Sequence, residues 1–178
     1  LSAEMPKGEF FCSLPCSKQI NFLKNIKVFG WKTYSIEKYP NWFYNPLTGA
    51  NFAHTAKSWF EIPDFDANVG DIKGIWEASR FDWLLHFVLR HHETHDQAEL
   101  AQLDQWLNNW CENNSAYLGP NWKCGQEASI RVMHLISALI GLEQLESPSQ
   151  NVLALIEIHL KRIAPTIDYA IAQDNNHG

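Results

Sequence analysis

The sequence predicts a mainly α protein of antiparallel helical hairpins, preceded by an irregular, aromatic-rich segment. Two observations carry this expectation. From Asp71 onward, apolar residues recur three and four positions apart in successive blocks joined by short polar loops. Before Asp71, Pro40, Pro46, Pro63, Gly30, Gly49 and Gly70 punctuate a run of aromatic residues with turn signals, so no long regular element fits there. The chain therefore divides into residues 1–70, short strands or extended pieces packed on the helices, and residues 71–178, the helical part. A weakly helical stretch is expected near 17–26.

The helical blocks run in order. Residues 72–92 place Ile75, Trp76, Ser79, Trp83, Leu84 and Phe87 on one face and read as a single amphipathic helix. Residues 97–114 repeat the pattern with Leu100, Leu103, Trp106, Leu107 and Trp110, and end in an Asn pair. After the loop "YLGPNWKCG", residues 126–145 form a third helix, apolar enough to be largely buried. Residues 149–163 form a fourth, with Ser149 as N-cap after Pro148. Pro165 breaks or restarts the run before the chain closes on "IAQDNNHG", where Asn and Gly also suit a helix stop.

Composition narrows the function classes. The 178 residues are 46% hydrophobic and 19% charged, a globular balance that fits one domain better than two. No apolar run approaches the roughly 18 residues needed to cross a bilayer, so no membrane insertion is expected. Leu1 is not an initiator Met and no signal-peptide pattern comes after it, which reads as a processed or partial chain. A net charge of −6 leaves no basic excess to displace phosphate counterions and argues against nucleic acid. It leaves room for an anionic sugar, because a few local cations can dominate one cleft. The four cysteines, Cys12, Cys16, Cys111 and Cys124, make neither a disulfide framework nor a zinc knuckle. Unpaired thiols are the default reading, and a Cys111–Cys124 bridge is the alternative. Eight Trp, five Tyr and ten Phe are mostly core, with some rings available to stack on sugars.

Four stretches carry candidate chemistry. In "RHHETH", His91 and His95 stand four apart and could share a metal, but H-E-x-x-H is not formed, and a solvated helix end explains the cluster. No metal and no cofactor are expected, and a metal-dependent protein using His91 and His95 stands as a minor alternative. In "GDIKGIWEASRFDW", Glu77 and Arg80 pair across one helical turn between Trp76 and Trp83, so Arg80 either braces the fold or faces an anion. In "GPNWKCGQEASIR", Asn121, Trp122 and Lys123 lie near a helix N-terminus, where amide groups attract anions. Gln126, Glu127 and Arg131 continue on its first turns. That stretch is either a capped helix with an internal Glu127–Arg131 salt bridge or a carboxylate-binding corner with a stacking Trp. Finally, "DNNHG" offers amides and an imidazole that suit a carboxylate. Phosphate loops, dinucleotide fingerprints and G-x-S-x-G elbows are absent from the sequence.

Together, "YPNWFYNPLTG", "GDIKGIWEASRFDWL", "LDQWLNNWCENN", "GPNWKCGQEASIRVMHLISAL" and the closing "NNHG" resemble, in order, the N-terminal helical part of heparinase II/III-type polysaccharide lyases, heparan-sulfate and alginate lyases among them. The resemblance covers most of the chain from about Trp31. It implies that residues 71–178 are the first half of an incomplete α/α toroid, with the rest of the toroid and a β-sandwich belonging to a longer lyase. It implies cleavage of a uronate-containing polysaccharide by β-elimination, in a periplasmic or secreted setting. Asn176 and His177 would neutralise the substrate carboxylate, while the Tyr and His that act as base and acid lie downstream of this chain. Asn121, Trp122 and Lys123 are then candidates for neighbouring sugars, and Gln126, Glu127, Arg131 and Arg80 for the floor of the cleft. Tyr117 and Tyr169 read as packing residues. The acidic charge favours a non-sulfated polymer. The alternative is a non-catalytic carbohydrate-binding or scaffold module in surface-polysaccharide assembly.

Overall fold

A computed structural model describes residues 2–12 and 24–172. The chain is mainly helical, and no described helix is long and apolar enough to cross a membrane. The irregular N-terminal part resolves into three antiparallel two-stranded hairpins: β1 (Asn25–Val28) with β2 (Lys32–Ser35), β3 (Tyr44–Asn45) with β4 (Ala50–Asn51), and β5 (Phe65–Asp66) with β6 (Gly70–Asp71). The helical stretch expected near 17–26 falls mostly outside the described residues, and where it does not, Asn25 and Ile26 belong to β1.

Asn45 fixes the middle hairpin to the third one. Its side chain donates to the carbonyls of Val69 and Asp71 at 2.9 and 3.1 Å, and its Oδ1 accepts from Leu47 N at 3.0 Å. Gly74 makes this approach feasible, since a Cβ there would lie 2.4 Å from Asn45 Oδ1.

The helix expected over 72–92 is broken. Helix α1 (Lys73–Trp76) runs into a 3-10 turn at Glu77–Ser79, and α2 (Trp83–Thr94) starts afresh with the Asp82 carboxylate accepting from Trp83 N. Between them Phe81 sits at φ 67°, a costly conformation for a bulky residue. Its ring is fully buried and meets Trp110, Trp83 and His159 edge-on at 4.8, 5.5 and 6.1 Å, which compensates the backbone cost. Periodicity alone reads straight through such a break.

The later helices match the sequence closely. Helix α3 (Gln97–Asn113) is capped by Asp96, whose carboxylate accepts from Ala98 N at 3.0 Å. Helix α4 (Gly125–Gly141) stops four residues short of the expected 145. Glu143 adopts φ 57° there, and the bonds Gln144 N to Leu139 O and Glu143 N to Ile140 O form a Schellman stop. Helix α5 (Gln150–Ile163) takes the expected cap from Ser149, and a 3-10 turn at Ala164–Thr166 restarts the chain at Pro165 into α6 (Ile167–Ala172). Helices α2 and α3 pair, α4 and α5 pair, and α2 lies against α4.

The core is a pile of rings. Trp83, Trp106 and Phe87 meet one another at 5.2–6.2 Å, and Trp110, Trp122 and His159 at 4.8–5.8 Å. The N-terminal segment belongs to the same core through Met5, Phe10 and Phe11. Asp104 of α3 holds it there: its buried carboxylate accepts from the backbone N–H of Phe10, Phe11 and Cys12 at 2.9, 2.8 and 3.1 Å. Burial pushes this carboxyl up to about 6, against the pull of those three donors, and Glu9 adds a smaller push.

Two outcomes are expected at Asp104. Asp104→Asn replaces one of the two accepting oxygens with an NH₂ that faces at least one of these N–H donors, and lowers stability by about 1–3 kcal/mol in urea unfolding. Because the folded value lies above the unfolded one, the contribution is full below about pH 4 and is lost as pH rises through about 6. That slope is absent in the Asn variant.

Candidate functional site

Two of the four stretches singled out in the sequence, those holding Arg80 and Glu127, meet at the first turns of α4. Arg80, released from the helix by the break at Phe81, reaches Glu127 with Nε and Nη2, both at 2.8 Å, in a two-pronged pair. Its Nη1 pairs with Glu77, whose other oxygen accepts from Phe29 N at 3.0 Å. Glu127 is nearly sealed, while Arg80 is one-third exposed. Hydrogen bonding to Glu127 holds the Arg80 guanidinium above its ordinary value, against burial. His134, two turns along α4 from Glu127, places Nδ1 2.6 Å from Arg80 O.

The internal Glu127–Arg131 salt bridge expected from their spacing does not form. Glu127 turns to Arg80, and Arg131 turns inward. It is fully buried, donates from Nε to His159 Nε2 at 2.8 Å and from Nη2 to Asn121 O at 2.7 Å, and lies over the faces of Trp110 and Trp122. Burial pulls its guanidinium down to about 9, so it stays charged at neutral pH. His159 accepts from Arg131 on Nε2, so its Nδ1 carries the proton facing Leu155 O at 2.8 Å. Burial, followed by the charge of Arg131, holds His159 well below its usual value, and the ring is neutral.

Asn121 and Trp122 are corrected as direct sugar contacts, because both are fully buried. Asn121 donates to Trp42 O at 3.0 Å and to Asn114 Oδ1 at 2.9 Å, tying the loop to the N-terminal part and to the end of α3. Trp122 packs on Trp110, Tyr117 and His159 rather than lining a cleft. Arg131 is set aside as a contact for the same reason. Lys123 keeps partial exposure, with Nζ 2.5 Å from Ile62 O and 3.3 Å from Asp64 Oδ1. Gln126 is exposed on the first turn of α4. Of the seven candidates in this region, Arg80, Lys123 and Gln126 present surface. Asn176 and His177 lie outside the described residues.

Two participants went unnoticed in the sequence, His159 and Arg162. Arg162 donates from Nε to Trp122 O at 2.6 Å and from Nη2 to Lys123 O, and its guanidinium stacks on Trp59 at 3.6 Å. The signal was available: His159 and Arg162 share a face of α5 with Leu155 and Ile158, all buried, where polar groups need a reason. Elsewhere, Cys111 and Cys124 are free thiols, so the bridge does not form, and burial pushes the Cys111 thiol far up. His91 faces Asp96 O at 3.1 Å, and no group of three metal-ligating side chains occurs among the described residues.

Two outcomes test this geometry. Arg80→Met leaves Glu127 buried without its cation and costs about 1–3 kcal/mol by urea unfolding, the exposed half of the pair reducing the effect. For His159 the folded value lies below the unfolded one, so its contribution is full above about pH 6.5 and falls as pH drops below it, by about 1.4 kcal/mol per unit. Asp104 titrates with the opposite sign. The test is therefore the difference between the native protein and His159→Gln, which grows smaller from pH 6.5 to 5.

The chain matches no family model, no curated protein and no solved structure.

Proposed function

We propose that the chain is the N-terminal portion of a polysaccharide lyase acting on a uronate-containing glycan, its hairpins forming part of an incomplete α/α toroid. In the elimination, a base takes the C5 proton, the C4–O bond breaks as the C4–C5 double bond forms, and an acid protonates the departing oxygen. The C5 proton leaves only if charge building on the adjacent carboxylate is stabilised. Asn176 and His177 supply that stabilisation in this reading. The base and acid are not assigned within this chain, so it is inactive on its own.

One observation carries the reading. The two longest stretches of the lyase resemblance, "GDIKGIWEASRFDWL" and "GPNWKCGQEASIRVMHLISAL", are drawn together by the Arg80–Glu127 pair at the start of α4. Thr166, in the turn that precedes α6, stands against Gly125, the first residue of α4.

The experiment is an elimination assay in the full-length protein on non-sulfated and sulfated uronate polymers, reading ultraviolet absorbance of the unsaturated uronate. Turnover is expected on a non-sulfated polymer, with losses of about 100-fold or more in Asn176→Ala and His177→Ala. Unchanged rates in both variants defeat the assignment. Saturable glycan binding without unsaturated product replaces it with a non-catalytic binding module.

A further inference from the structure

The start of α4 holds a donor that the fold leaves unused. Arg162 is 1% exposed, and its Nε and Nη2 are committed to the carbonyls of Trp122 and Lys123. That two-point grip fixes the guanidinium plane and leaves Nη1 buried with no acceptor. A Cβ on Gly125, the first residue of α4, would lie 3.8 Å from this nitrogen, so Nη1 is aimed at the helix N-terminus. The same point on Gly125 is 2.7 Å from Thr166 Oγ1, and only glycine leaves the corner open.

The helix end adds donors of its own. Cys124 at the N-cap supplies no side-chain acceptor, and its carbonyl takes the first helical bond from Ala128 N. The amide of Gly125 precedes that bond, at the positive end of a 17-residue helix. Among the described residues, neither Arg162 nor Arg131 has a carboxylate within ion-pair distance. The two guanidiniums are close enough to repel, and Arg131 Nη1 also lacks an acceptor. The corner therefore holds two cations with no ion-pair partner among the described residues, two orphaned donors and a helix dipole, with Glu127 the carboxylate that acts on Arg131 from a distance.

We propose that the N-terminus of α4 is a binding site for one oxyanion group, a carboxylate or a sulfate, held by Gly125 N–H and Arg162 Nη1 with Thr166 Oγ1 at its rim. Arg162 Nη1 is out of contact with water, so the anion enters by moving the Thr166 side chain. The Thr166 hydroxyl now donates to Ile163 O at 2.9 Å and can turn its hydrogen to the anion instead. Binding recovers the desolvation penalty of an unmade charged hydrogen bond. The site stands on Arg162 and Gly125, and holds whether or not Asn176 and His177 act in elimination.

The test is an amide-resolved NMR titration of the protein with sodium sulfate and, separately, sodium glucuronate, at ionic strength held constant with chloride. Saturable shifts are expected at Gly125, with half-saturation on the order of millimolar. Gly125→Ala, Thr166→Val and Arg162→Gln should each weaken binding, Gly125→Ala and Arg162→Gln by about tenfold, equivalent to about 1.4 kcal/mol. Should Arg162→Gln fail to fold, Gly125→Ala and Thr166→Val carry the comparison. Stronger binding of glucuronate than of sulfate identifies a sugar acid as the ligand, and the reverse identifies a sulfate ester. Absence of saturable shifts at Gly125 with both anions overturns the site. So do equal half-saturation in the native and Gly125→Ala proteins, and equal shifts on adding chloride alone.

Discussion

Three consecutive carbonyl oxygens, those of Asn121, Trp122 and Lys123, each accept from a buried guanidinium, and much of the molecule is arranged around that requirement. The loop entering α4 passes through the interior, where its backbone acceptors cannot find water. Arg131 answers from within α4 and Arg162 from α5, so the α4–α5 pair is also the scaffold that closes the loop. Burying two cations to do this is costly. Ring faces offset part of that cost: Trp110 and Trp122 over Arg131, and Trp59 over Arg162. The heavy aromatic load of the sequence thus serves polar groups as well as packing.

The same constraint accounts for how residues with obvious surface chemistry became internal. Glu127 and Arg131 are four apart and share one helical face, yet they serve different partners. Arg131 is taken by His159 and by the loop, and Glu127 is left to bind an incoming cation. Arg80 can arrive only because the chain breaks at Phe81, so a strained backbone and a buried ion pair are two parts of one arrangement.

Helix existence was legible from spacing alone, because Leu, Trp and Phe at helical intervals must bury one face. Ser149 and the break at Pro165 were legible for equally local reasons. The split of residues 72–92 was not, since the cause is contact between Phe81 and rings on α3 and α5. Site residues divided the same way. Glu77–Arg80 pairing could be read along the chain, whereas the burial of Asn121 and Trp122 depends on Asn114, Trp42 and α5. A Trp beside a Lys in a polar loop looks like a sugar platform until the rings around it are known. His159 and Arg162 were discoverable as polar residues on an apolar face, but which carbonyls they serve is fixed only by the fold.

Asp104 has a consequence for the order in which the molecule assembles. The segment it grips is also held by Asn108 at Gly8, Gln144 at Phe11 O, Ser149 at Phe10 O and Asn151 at Lys7 O and Glu9 O. These partners come from both helical pairs and lie about a hundred or more residues away along the chain. Contacts of such separation carry a large loop-closure cost and form late. This segment is thus made before the elements that hold it and is among the last parts to dock. Until α3 and α5 are both in place, Phe10 and Phe11 remain exposed apolar side chains, where a chaperone would meet them.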